Sequence, residues 1–202
     1  TRLQGDWSSD VCSSDLRFLK LLETTVDESG VQIEQSPYYH FYSLKGFWDI
    51  FKYNETFDFL HHPMLKDRIE RMIDYASYIV QPNGQIPLIS SSISLDASNY
   101  SRSTFTEIEA LYPKFHYALS KGAAGTRPDP ISKYFNAGGF SILTSNPDWT
   151  RDYQDRAHVV FDVGPYRTRH SQLDALNLNV YAKGHVIFPD SGLFTYEPGP
   201  QK

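Results

Sequence analysis

Gly30–Tyr42, GVQIEQSPYYHFY, gathers three tyrosines, a histidine and a glutamate around one expected helix start. Ser36 can cap a helix, and Pro37 suits the first helical position because the N–H it lacks would have no intrahelical partner there. Tyr38, Tyr39 and His40 then fall in the first turn, where the helix dipole leaves partial positive charge that favours anions and anionic transition states. A phenol so placed ionises more easily than a free one, whose pKa is about 10. That setting suits acid–base chemistry on an acidic substrate. The competing reading is packing, since aromatic clusters at helix starts commonly belong to a core.

A second polar segment lies far downstream, Arg167–Tyr196, RTRHSQLDALNLNVYAKGHVIFPDSGLFTY. The elements that must position the two segments follow from hydrophobic period. Arg17–Asp27 reads as the tail of an amphipathic helix with Phe18, Leu19, Leu21 and Leu22 inward. Pro37–Tyr53 carries Phe41, Leu44, Trp48 and Phe51 at helical spacing. Pro63–Val80 carries Leu65, Ile69, Met72, Ile73, Ala76 and Ile79, and Pro82-Asn83-Gly84 stops it. Ile86–Ser103 is a serine-rich connector too long for a simple turn, expected to be functional or mobile. Phe105–Ser120 reads as a helix with Ile108, Leu111, Phe115 and Leu119 inward, and Pro113 demands a kink or an earlier stop.

Lys121–Pro130 is a linker by composition, and beyond it the period becomes two. Strands are expected at Gly138–Ser145, Ala157–Val163, Ala175–Tyr181 and His185–Pro189. Leu176, Leu178 and Val180 alternate with Asn177, Asn179 and Tyr181, as in a sheet with one buried face. Ala182-Lys183-Gly184 is a hairpin turn. Helices followed by antiparallel strands make an α+β chain with two packed units in sequence. The expected division is a leader over 1–16, a helical part over 17–122, a linker over 123–133 and a strand part over 134–202.

The leader does not resemble the rest. Asp10–Leu16, DVCSSDL, is similar to the conceptual translation of a short-read sequencing adapter, so Thr1–Leu16 is set aside as an artefact or a disordered leader. Cys12, the single cysteine, lies inside it, which leaves no disulfide or thiol chemistry for the remainder. Without it the acids fall from 24 to 21 and the bases from 19 to 18, so the balance moves from −5 to −3. A mildly acidic surface offers no basic field for nucleic acid. No run approaches the ~18 apolar residues that span a membrane. The closing EPGPQK follows a strand-and-turn pattern without a closing element, so the chain is expected to be a fragment, its true start and any export signal not in view.

Three short motifs carry a resemblance. Glu34-Gln35-Ser36-Pro37-Tyr38-Tyr39-His40 resembles the E-x-S-P-x-Y-H segment of heparinase II/III-like polysaccharide lyases, including alginate-lyase relatives. His170-Ser171-Gln172-Leu173-Asp174-Ala175-Leu176 resembles that family's H-x-H-x-D-x-L segment. Asp190-Ser191-Gly192-Leu193-Phe194-Thr195-Tyr196 is similar to the D-x-G-x-x-x-Y that follows it. Each is weak alone, but the order and spacing agree.

The resemblance implies the last helices of an incomplete α/α toroid followed by the first strands of an antiparallel β-sandwich, with the active site in the cleft between. It implies β-elimination on a uronic-acid polysaccharide, an anionic partner, and a periplasmic or secreted location. Tyr39 matches the catalytic tyrosine, with Tyr38 as the adjacent alternative, and His170 matches the histidine from the sandwich. Glu34 and His40 are expected to orient the site or bind sugar, and Arg167 and Arg169 to hold substrate carboxylates. Gln172 replaces a histidine that ligates structural zinc in relatives, and an amide is a poor zinc ligand. Asp190, which matches another ligand position, is then free to bond backbone or arginine, and no cofactor is expected. The family's carboxylate-neutralising pair lies upstream of its tyrosine, so this piece by itself is expected to be inactive. Two other readings stay open: a non-catalytic carbohydrate-binding relative, and a glycoside hydrolase, which needs two carboxylates across the cleft.

Overall fold

The structure is a computed structural model of the 202-residue chain and describes residues 7–57, 62–100, 102–146, 152–164 and 175–193. Five α-helices among the described residues precede the sheet: α1 Trp7–Thr25, α2 Pro37–Phe57, α3 Pro63–Ile79, α4 Arg102–Leu111 and α5 Pro113–Leu119. The strands are β1 Lys133–Phe135, β2 Phe140–Thr144, β3 His158–Asp162, β4 Asn177–Ala182 and β5 His185–Phe188. They form one antiparallel meander in chain order, with a 3-10 turn at Tyr153–Asp155 between β2 and β3.

Helix α3 organises the molecule. Pro63 occupies its first turn, and His62 caps it through Nδ1, which accepts the Met64 N–H at 3.2 Å. Leu65, Ile69, Met72, Ile73, Ala76 and Ile79 are all buried, as their spacing predicts. Each such burial is worth roughly 1.5–3 kcal/mol against the entropy of ordering the chain. The helix stops at Val80, whose backbone is extended, before the Pro82-Asn83-Gly84 turn.

The other helical faces depart from expectation in places. In α2, Phe41, Leu44, Trp48 and Phe51 are buried, and the helix runs on to Phe57. Helix α1 begins at Trp7, inside the stretch set aside as a leader; in its last turns Leu22 is buried but Leu21 is 51% exposed. Pro113 ends one helix and starts the next, so the expected single helix is two, and Leu111 at the break is solvent-exposed. The serine-rich connector is packed rather than loose: Ile86, Ile89, Ser90, Ser91 and Ser92 are buried. A Gln85–Asp96 bridge closes it.

One face of the sheet lies on α3. Phe135 and Phe140 meet the Tyr75 ring at 5.0 and 5.6 Å between centroids, and His158 Nε2 lies 2.8 Å from the Tyr78 carbonyl. The register places Ile142, Val160 and Asn179 on this face, and all three are buried. The alternation in β4 is therefore opposite in phase to the sequence expectation. Asn179 and Tyr181 point inward, while Leu176 and Leu178 point to solvent. The inward polar atoms are satisfied: Gln81 Nε2 donates to Asn179 Oδ1 at 2.9 Å, and Tyr181 OH donates to the Gln154 carbonyl at 2.9 Å. Strand β1 begins at Lys133, the last residue of the expected linker, where Lys133 Nζ pairs with Asp74 Oδ2 at 2.5 Å.

Candidate active site

The first turn of α2 stands where the helices meet the sheet. Its first helical bond runs from the His40 N–H to the Ser36 carbonyl at 2.9 Å, so Tyr38 and Tyr39 fall in the first turn as their sequence predicts. Both tyrosines are partly buried. Their rings meet edge to face at 5.4 Å, and Tyr38 also leans on Tyr100. Glu34, also partly buried, sits in the turn before them, where its N–H donates to Gln32 Oε1.

Ser36 does not cap this helix alone. Its hydroxyl lies 2.9 Å from Ser92 Oγ, and Ser92 Oγ accepts the Tyr38 N–H at 3.2 Å. The Ser92 carbonyl accepts the Leu193 N–H at 3.0 Å. Ser92 thereby joins the tyrosine motif to the Asp190-Ser191-Gly192 motif. Sequence reasoning recognised the serine-rich connector but had no signal for its partners, which lie far away along the chain.

Gln35 makes the matching connection to the sheet. It is buried with a left-handed backbone, φ 55°, and its Nε2 donates to the Gly138 carbonyl at 3.1 Å. A methyl group added at Gly164 would come within 2.1 Å of Gln35 Nε2, so β3 leaves the sheet directly against the α2 start. The buried Asp162 carboxylate accepts the Gly164 N–H at 2.8 Å, and the Asp162 carbonyl accepts the Leu176 N–H at 2.8 Å. The two ends of the β3–β4 connection are therefore both tied to Asp162, and the β3 end lies against Gln35. Arg167, Arg169, His170 and Gln172, on that connection, lie outside the described residues.

One expected sugar contact needs correction. His40 is 1% exposed, and its Nε2 lies 3.0 Å from the Met72 carbonyl while its ring packs edge-on against Tyr75. Burial pulls its pKa down to about 4, against a smaller upward pull from the Met72 carbonyl, so the ring is neutral near pH 7. It is packed against α3 in the core, which removes it from direct sugar contact and leaves the other expected role, orienting the site.

Asp190 bonds its own surroundings, with Oδ1 accepting the Gly192 N–H at 2.9 Å and Oδ2 accepting from Asn177 Nδ2. No group of three histidine, cysteine or acidic residues at metal-binding distance occurs among the described residues. Position 172 is an amide, so the zinc ligand set that the resemblance implies lacks one of its histidines. Elsewhere, an open groove of about 450 Å³ between α2 and α4 is lined by Asp49, Lys52, Tyr53, Phe57 and Glu107, at the far end of α2 from Tyr39.

Comparison with known proteins fits this arrangement. Two family profiles match in sequence order, Heparinase II/III N-terminus over residues 18–117 and Heparinase II/III-like, C-terminal over residues 127–202. The gap between them falls where the helices end and the strands begin. A heparin-sulfate lyase of Bacteroides stercoris is 24% identical over 180 residues, covering 87% of this chain and 26% of that protein. A heparin-sulfate lyase of Pedobacter heparinus is 25% identical over 182 residues, with the same coverage. The chain thus spans about a quarter of the length of the curated relatives it matches. Among solved structures, a heparinase III aligns with a TM-score of 0.80 at 23% identity, covering 94% of this chain and 30% of that one. The heparan sulfate lyase of Pedobacter heparinus aligns with a TM-score of 0.76 at 22% identity, covering 90% and 28%. These likenesses establish the α+β architecture, and with both profiles matched the chain belongs to the heparinase II/III-like family.

Proposed function

We propose that this chain supplies part of the active site of a polysaccharide lyase that cleaves a uronic-acid-containing polysaccharide by β-elimination. The observation that carries the reading is the junction itself. The first turn of α2, with Tyr38 and Tyr39, is tied through Gln35 to the Gly138 and Gly164 backbone, where the connection that contains His170 leaves β3, and through Ser92 to the backbone just past Asp190. Relatives named as heparin-sulfate lyases favour a sulfated, heparan-type polymer over alginate.

The chemistry sets three requirements. The C5 proton of a uronate is a very weak acid beside an ionised carboxylate, so that carboxylate must first be neutralised by hydrogen bonds or cations. A base then takes the C5 proton, the C4–O bond breaks as the C4=C5 double bond forms, and an acid protonates the leaving oxygen. In this reading Tyr39 and His170 share the two proton transfers, Tyr38 and Glu34 line the sugar site, and Arg167 and Arg169 hold acidic groups of the substrate. No step is assigned to a metal.

The whole-protein architecture follows the same reading. The outward face of the sheet carries Tyr134, Leu143, Leu178 and Phe188, each 46–58% exposed, an apolar surface that a second sheet would cover. We read the helices as the end of an α/α toroid and the sheet as the first layer of a β-sandwich. A polymeric anionic substrate places the enzyme in the periplasm or outside the cell. No described helix is long and apolar enough to cross a membrane.

The test is the absorbance of the unsaturated uronate product when the full-length protein is given heparan sulfate, heparin and alginate. Product from the heparan-type chains supports the reading. Binding of those chains without product would show a carbohydrate-binding protein instead.

A further inference from the structure

We propose that Ser92 is a positioning residue for the tyrosine-bearing first turn of α2, an inference that rests on the lyase reading above. The first N–H groups of a helix have no intrahelical acceptor, and a side chain from the residue just before the helix ordinarily satisfies one of them. Here the Tyr38 N–H goes to Ser92 Oγ, 54 residues further along the chain. Ser36, the residue placed to cap locally, spends its hydroxyl on the same Ser92 Oγ.

Ser92 is itself rigidly held. It is 1% exposed, its N–H donates to the Ile89 carbonyl at 3.2 Å, and its carbonyl accepts the Leu193 N–H at 3.0 Å. Gly192, at φ 64°, approaches so closely that a methyl group there would fall 2.5 Å from the Ser92 carbonyl oxygen. The connector at Ser92 thus fixes two things at once, the start of α2 and the backbone just past Asp190. The orientation of Tyr39 is referenced to the sheet side through Ser92, and not only to its own helix. Catalytic groups misplaced by about 1 Å can lose on the order of 10²-fold in rate, so a remote cap of this kind bears on turnover more than on substrate binding.

The test uses the full-length protein and four variants: Ser92→Ala, Ser92→Cys, Ser36→Ala and Tyr39→Phe. Cysteine keeps the shape of serine with a somewhat larger atom that is a weak acceptor, so it reports on the hydrogen bond if the alanine variant folds poorly. For Ser92→Ala and Ser92→Cys we expect kcat to fall roughly tenfold with KM changed less than about twofold. The Tyr38 amide should exchange faster with deuterium. Ser36→Ala leaves Ser92 able to accept the Tyr38 N–H and should keep most of the turnover. Wild-type kcat and wild-type exchange of the Tyr38 amide in both Ser92 variants, with Tyr39→Phe inactive, overturn the positioning role and leave the lyase reading standing. Equal losses in Ser36→Ala and Ser92→Ala overturn it in favour of general packing. Full turnover in Tyr39→Phe removes the lyase assignment, and this inference with it.

Discussion

Gln81 and Asn179 meet through a hydrogen bond of 2.9 Å between side-chain amides, although 98 residues separate them, and both are buried where the helices join the sheet. This contact turns the polar edge of β4 inward and leaves its leucines on the other face. Breaking one partner strands a buried amide, which typically costs about 1–3 kcal/mol. Gln81→Leu and Asn179→Leu should each lower stability by that order in urea unfolding. The double variant should lose less than the sum, and strict additivity would show that the pair does not couple the two units.

The two buried histidines make stability depend on pH. His40 and His158 are each drawn down to about 4, in both cases chiefly by burial, with Arg156 adding a smaller downward pull at His158. Unfolded histidine titrates near 6.5, so between roughly pH 6.5 and 4 the unfolded chain binds more protons and stability falls as pH falls. Above that window the contribution is complete. Each ring accounts for on the order of 3 kcal/mol across it, and His40→Gln or His158→Gln should flatten the acid limb of a thermal-melt series.

Gly164 has no space for a side chain. A methyl group there meets Gln35 Nε2 at 2.1 Å and the Gly138 carbonyl at 2.6 Å, and the latter is backbone that cannot swing aside. Gly164→Ala should cost about 1–3 kcal/mol by overpacking. In the full-length protein it should also lower elimination activity, because the displaced groups hold the start of α2.

Removal of metal should leave activity unchanged. Position 172 is an amide, and Asp190 already accepts from Gly192 and Asn177. Dialysis against a chelator followed by assay checks this, with metal analysis of the untreated protein beside it. Stoichiometric zinc that disappears in Asp190→Ala would contradict it.

Much of this architecture could be read in the sequence because α3 repeats its apolar residues over seventeen positions with a proline at one end and a Pro-Asn-Gly turn at the other. The change of period near residue 133 marked the sheet for the same reason. In β4, by contrast, both alternating sets can be buried, and the distant partners of the inward set, Gln81 for Asn179 and the Gln154 carbonyl for Tyr181, decide between them. Strand β1 is three residues long and begins with a lysine whose charge is met by Asp74, so it carried no hydrophobic signal. At the site, the Ser-Pro pair announced the helix start that presents Tyr38 and Tyr39. The burial of His40 against α3 and the remote cap from Ser92 depend on how distant elements pack, which local spacing does not encode.

The claim that Tyr39 carries proton transfer is tested most directly by replacing its hydroxyl alone. Tyr39→Phe keeps the ring and its edge-to-face contact with Tyr38, so folding should be preserved. Initial rates of unsaturated uronate formation on heparan sulfate should be measured for wild type, Tyr39→Phe and Tyr38→Phe in the full-length protein. The account predicts a fall of roughly 10²–10⁴-fold for Tyr39→Phe, as expected for loss of a general acid–base group, and a much smaller effect for Tyr38→Phe. Near wild-type turnover in Tyr39→Phe would contradict it.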